Sequence, residues 1–187
     1  MLRNLFIALG VALPLFAQRV PATHTDITRD SVIAQMNRAR AEAGVGPLHD
    51  DYRLDGAAED RIKDMEDLGY WAHVSPDGRA PFVWLKPHGY NFSNAGENLA
   101  AGFETAEVLM DSWMESPGHR DNILSPLYMD CGVAIIDGST KGRATGKSIV
   151  VLFGRPMVEL VEEQRVKPQV LPVRQQATTG LAAVPRQ

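Results

Sequence analysis

Trp113-Met114-Glu115-Ser116-Pro117-Gly118-His119-Arg120-Asp121-Asn122-Ile123-Leu124 reads as the end of one helix, a break, and a second short segment. Upstream, a helix from about Ala106 to Glu115 turns Leu109, Met110 and Trp113 inward, and Ser116-Pro117-Gly118 interrupts it before a segment from His119 to Leu124. Two further helices precede it. From Asp30, the positions Val32, Ile33, Met36, Ala39 and Ala43 follow a helical period that Gly44 ends, and Leu54, Ala57, Ala58, Arg61, Ile62, Met65 and Leu68 follow another that Gly69 closes. Residues 70–98 carry Pro76-Asp77-Gly78, Pro81, Pro87, Gly89 and Gly96, a pattern that predicts loops with one short helix near Pro81 to Lys86. Downstream, Cys131 to Asp137 and Ser148 to Phe153 are β-rich runs joined by a polar link, and predict an antiparallel hairpin. Helices first, strands last and no βαβ alternation point to an α+β domain, an antiparallel sheet covered by helices.

The 187 residues hold room for one domain with its own core and flexible ends. A formal net charge of -4 offers phosphate backbones no attractive field, so nucleic acid is not an expected partner. Arg3, the apolar run Leu5 to Phe16 and the small Ala17 read as a secretory signal peptide over residues 1–17, with a run shorter than the roughly 20 residues that span a bilayer. Residues 18–29 then form a short linker, 30–156 the folded domain, and 157–187 a flexible tail containing Pro and Gln. Once the signal is cleaved, no stable membrane insertion is expected, and the protein is placed outside the cytoplasm, secreted or, in a bacterial source, in the periplasm or at the cell surface. Cys131 is the single cysteine, which rules out an intrachain disulfide; within an apolar run it is expected to be buried and unreactive.

Several common signatures fail. Gly142-Arg143-Ala144-Thr145-Gly146-Lys147-Ser148 has one residue too few between its glycines for a phosphate loop and leads into a strand. The chain has no G-x-S-x-G elbow, no H-E-x-x-H helix and no C-x-x-C pair. Ionisable residues instead gather in or beside the breaks: His73, Glu97, Glu115 and His119. Glu115 and His119 would share a face if the helix continued through Pro117. Each alone suits a surface or capping role; together they suit either a metal site or a network tying loops to helices. Ser75 and Ser116 lie near the histidines in sequence, which does not by itself make either a nucleophile.

Five segments occur in the order seen in the CAP superfamily, the SCP-like proteins that include cysteine-rich secretory proteins, antigen 5 and pathogenesis-related 1. They are Asn37-Arg38-Ala39-Arg40, Ala72-His73-Val74-Ser75, Gly96-Glu97-Asn98-Leu99, Trp113-Met114-Glu115-Ser116 and Gly118-His119-Arg120-Asp121-Asn122-Ile123-Leu124. The resemblance implies a three-layer α-β-α sandwich with a central antiparallel sheet and a cleft where His73, Glu97, Glu115 and His119 converge. It also implies a weakly bound zinc or other divalent cation on His73 and His119. Arg120 stands where the animal and plant branch has Tyr, and that branch's disulfide cysteines are missing, so the chain looks like the shorter bacterial branch. The expected function is that of a secreted protein binding an extracellular lipid, glycan or cell-wall fragment. Two alternatives are a metal-assisted hydrolase of peptide or cell-wall bonds with Glu97 or Glu115 as base, and a scaffold in which the tetrad is structural.

Overall fold

A computed structural model describes residues 25–138 and 146–157. The expected signal peptide, most of the linker, the tail from residue 158 and the middle of the hairpin link lie outside the described residues. Four helices, α1 (Arg29–Glu42), α2 (Tyr52–Leu68), α3 (Ala106–Glu115) and α4 (Pro117–Leu124), accompany four strands. The strands are β1 (His49–Asp50), β2 (Phe92–Phe103), β3 (Asp130–Asp137) and β4 (Lys147–Pro156). The sheet runs β1-β3-β4-β2: its three long strands are antiparallel, and two-residue β1 adds parallel to β3.

Local chemistry sets the helix ends. Thr28 and Ser31 form a reciprocal capping box on α1, the Asp51 carboxylate accepts from the Arg53 amide at the start of α2, and Gly69 ends α2 with a left-handed φ of 62°. The sheet separates two cores. On one face Leu54, Ala58, Ile62 and Met65 of α2 pack with Leu85, Tyr90 and Leu152; on the other Met36, Leu109, Trp113 and Ile123 of α1, α3 and α4 pack with Val133 and Val151. This is the α-β-α sandwich. Gly132 permits the closest contact between layers, because a Cβ there would collide with the main chain of Leu54 and Asp55.

Three sequence expectations need correction. Residues 92–98, read as loop, belong to the long strand β2, which Ala, Gly and Asn disguise and pairing with β4 creates. The segment Pro81 to Lys86 is a run of turns rather than a helix, closed by i to i−3 bonds such as Leu85 N–H to Phe82 C=O at 3.2 Å. Gly118 does not delay the second segment, since α4 starts at Pro117, a residue suited to the first helical position.

Arg40, 1% exposed, locks the second core. Its guanidinium donates to the carbonyls of Gly46 at 2.6 Å, Ile123 at 2.8 Å, Ser125 at 2.9 Å and Tyr128 at 3.1 Å. Two of these lie at the C-terminal end of α4, where the helix dipole favours a cation. Nearby, Asn37 exchanges two bonds with the Leu48 main chain, at 2.9 and 2.7 Å, and so holds the turn after α1. Arg40→Met keeps the stem but strips the buried Ile123 carbonyl and three part-buried ones of their donor, a buried orphan costing about 1–3 kcal/mol. We expect it to lower unfolding free energy in urea by about 3–5 kcal/mol, with an unchanged denaturant slope.

Candidate functional site

The site grows from one buried cation. Arg61 lies on the inward stripe of α2 and its side chain is 0% exposed. Its Nε donates to Glu97 Oε2 at 2.8 Å, Nη2 to the Ala72 carbonyl at 2.6 Å, and Nη1 to the Tyr70 hydroxyl and to Ser75 Oγ at 3.4 Å. The guanidinium also lies over the rings of Tyr70 and Trp84, 5.5 and 5.0 Å from their centroids. One side chain therefore fixes both a carboxylate on the sheet and the turn running from Tyr70 to Ser75. Asp64, one helical turn on, completes the anchor by accepting from Tyr70, from Ser75 Oγ at 3.3 Å and from Arg79 Nη2 at 2.8 Å.

Glu97 sits in the middle of β2 opposite Leu152, with its side chain 1% exposed. Its second oxygen, Oε1, accepts from His73 Nδ1 at 2.8 Å. His73 is 58% exposed, so a buried carboxylate holds a ring whose other nitrogen is presented outward. Gly96 is required beside it, because a Cβ there would come 2.6 Å from the Tyr128 hydroxyl, which donates to the Ala95 carbonyl at 3.2 Å. Asn98 is wholly buried and donates to the His119 carbonyl at 3.1 Å. Asn122 Nδ2 in turn donates to Asn98 Oδ1 at 2.9 Å and to the Glu97 carbonyl at 3.1 Å, riveting α4 to β2.

His119 belongs to the first turn of α4. Its ring lies 6.2 Å from that of Trp113, and its Nδ1 is 2.9 Å from Ser116 Oγ. Ser116 spends its hydroxyl on this ring and makes no side-chain cap to the helix. Burial, and then the neighbouring His73, lower the pKa of His119 below the ordinary 6.5, which favours the neutral imidazole.

His73, Glu97 and His119 are thus brought into one network, with Arg61 as its unforeseen member. Glu115 is exposed at the end of α3, and its side chain makes no hydrogen bond or ion pair among the described residues. Extended Ser116, at φ −89° and ψ 115°, separates the two helices, so Glu115 and His119 do not share an i, i+4 face. Among the described residues, no group of three or more His, Cys, Asp or Glu side chains is arranged to hold a metal ion. Cys131 is buried, and burial pushes its thiol pKa far up, as an inert core thiol requires. The signal for Arg61 was present in the sequence: a charged residue on the apolar stripe of α2, between Ala58 and Ile62.

Comparison with known proteins agrees with the fold. The pattern of the Cysteine-rich secretory protein family (CAP) matches residues 33–153. The uncharacterized protein YkwD of Bacillus subtilis is 37% identical over 109 residues, covering 58% of this chain and 42% of that protein. An extracellular SCP-domain protein of Bacillus anthracis superposes with a TM-score of 0.58 at 27% identity, over 68% of this chain and 40% of that one. An outer surface protein of Borrelia burgdorferi shares the fold at a TM-score of 0.60 and 18% identity, over 72% of this chain and 99% of that one. The chain spans less than half the length of the curated relatives it matches.

Two outcomes follow for the site. Arg61→Met leaves Glu97 buried without its cation, and breaking such a pair costs about 3–5 kcal/mol. It should also raise amide hydrogen exchange across residues 70–79 more than across α1. For His119, the unfolded ring takes its proton at a higher pH than the folded one. Protonation therefore favours the unfolded chain, and the ring's contribution to stability is lost as pH falls through 6.5 toward the folded value. NMR titration should place the His119 midpoint below 6.5, and His73→Ala should move it part of the way back.

Proposed function

We propose, for a chain that belongs to the cysteine-rich secretory protein (CAP) family, that it acts outside the cytoplasm as a binding protein. Its His/Glu cleft takes an extracellular lipid, glycan or cell-wall fragment, and His73 and His119 hold a weakly bound divalent cation such as zinc. The supporting observation is that each imidazole is engaged through Nδ1, His73 by Glu97 and His119 by Ser116. A ring held at one nitrogen offers the other in a defined direction, the arrangement that second-shell partners give to metal-ligating histidines. The donor set fits a borderline cation, and two protein ligands rather than four suit an exchangeable site rather than a structural one. When bound, such a cation supplies a positive centre able to polarise a ligand oxygen. The surrounding chain holds the two rings and fixes the spacing between the His73 turn and α4.

Binding is favoured over hydrolysis by the state of Glu97. Both of its oxygens are engaged, one by Arg61 and one by His73, and the side chain is 1% exposed, which leaves it poorly placed to take a proton from water. A hydrolytic reading therefore rests on Glu115 alone. Export is supported by the extracellular description of the Bacillus anthracis relative and by the apolar run at residues 5–16. Among the described residues no helix is long and apolar enough to cross a membrane.

Zinc calorimetry on the protein and on a His73→Ala, His119→Ala double variant tests the reading. Saturable one-site binding that the double variant loses supports it. Absence of binding by the parent, or equal binding by the variant, removes the metal from the account.

A further inference from the structure

The sheet has one edge that no described strand covers beyond its first residues. β1 pairs with β3 only at Asp130 and Cys131, so β3 is an edge strand from Gly132 onward. Along β3 the main-chain groups of successive residues point alternately toward β4 and away from it. The Cys131 carbonyl accepts from the Asp51 N–H, and the Val133 N–H donates to Asp55 Oδ1 at 2.9 Å, which identifies the odd-numbered residues as those facing the open side. The Val133 carbonyl and both main-chain groups of Ile135 therefore point outward with no bonded partner among the described residues. Val133, Ile135 and Ile136 make this edge apolar and β-branched, and from Gly132 to Ile136 it carries no Pro or Lys to discourage pairing.

A groove of about 420 Å³ runs beside that edge, between Val133–Ile136 and the α2 residues Glu59, Ile62, Lys63 and Glu66, with Arg29 at one end. Its cations are already neutralised: Arg29 binds Asp55 at 2.7 Å and Lys63 binds Asp67 at 2.6 Å. Among the described residues, the Glu59 side chain, 65% exposed, pairs with Arg29 at 3.4 Å, while the exposed Glu66 side chain makes no hydrogen bond or contact ion pair. The wall is thus net acidic around an apolar centre at Ile62. Unpaired main-chain groups select an extended polypeptide, and the wall selects its side chains.

We propose that the open edge of β3 docks an extended peptide segment of a partner protein. The segment continues the sheet where β1 stops and sets an apolar residue over Ile62 between basic residues facing Glu59 and Glu66. Glu59 to Glu66 spans about 10 Å of helix at about 1.5 Å per residue. Residues i to i+4 of a strand span about 13 Å, so basic, apolar and basic side chains at alternate positions match the wall. The site lies on the edge of the sheet opposite β2, which carries Glu97, and does not depend on the metal reading.

The test uses the protein and a fluorescein-labelled, capped Thr-Lys-Thr-Val-Thr-Lys-Thr peptide, followed by fluorescence anisotropy up to about 1 mM protein. The proposal expects saturable binding that weakens about tenfold or more when one alternate set of peptide amides is N-methylated and is spared when the other set is. Glu66→Lys, at an exposed position, should weaken this peptide and strengthen the version carrying Glu in place of Lys. Failure to saturate, indifference to which amides are methylated, or indifference to Glu66→Lys overturns it. So does sedimentation showing that the edge pairs with a second copy of this chain in a dimer that Ile135→Pro abolishes.

Discussion

The buried ion pair between Arg61 and Glu97 is the constraint on which the candidate site depends. Taking both charges out of water is costly, and the pair is tolerable only because nearly every remaining bonding position is filled. Arg61 fills its own with Tyr70, Ala72 and Ser75, and Glu97 fills its second oxygen with His73. That bonding requirement is what turns residues 70–79, rich in turns and without regular structure, into a rigid mount for an exposed imidazole. The same groups that satisfy a buried cation thereby orient the ring.

A second buried arginine supports the other half of the site. Arg40, on the opposite face of the sheet from α2, has carbonyls rather than a carboxylate as partners, and holds the end of α4 whose first turn carries His119. Asn98 and Asn122 then join α4 to the strand bearing Glu97. The two histidines are therefore carried on opposite sides of the sheet, each on a segment anchored by a guanidinium, and His73 stands near enough to His119 to lower its pKa. No disulfide is available for the task in a chain with a single, buried cysteine. Hydrogen-bonded arginines replace covalent links as the fasteners of the irregular regions.

Much of this was legible in the sequence. The periods of α1, α2 and α3, the glycine stops of α1 and α2 and the hairpin of β3 and β4 all stand where apolar spacing put them. Motif resemblance singled out His73, Glu97, Glu115 and His119 without geometry, and the structure joins the first two and His119 in one hydrogen-bonded network while Glu115 stands exposed at the end of α3. The hidden parts were those decided by tertiary contact. β2 lacks β-branched residues over most of its length and is a strand because β4 pairs with it. Two-residue β1 is too short to leave a periodic trace. The buried guanidiniums were only half visible: Arg61 stood on the apolar stripe of α2, but nothing in the spacing told which carbonyls and carboxylate it and Arg40 would meet.

The central claim is that Arg61 and Glu97 lock His73 as the tautomer protonated at Nδ1, with Nε2 presented outward. Long-range ¹H–¹⁵N correlation of the imidazole nitrogens, recorded at a pH where the ring is neutral, reads this directly. The account predicts a protonated Nδ1 and a bare Nε2 for His73, and loss of that preference in Arg61→Met. A His73 ring protonated at Nε2 in the parent protein, or averaging between tautomers, would contradict it.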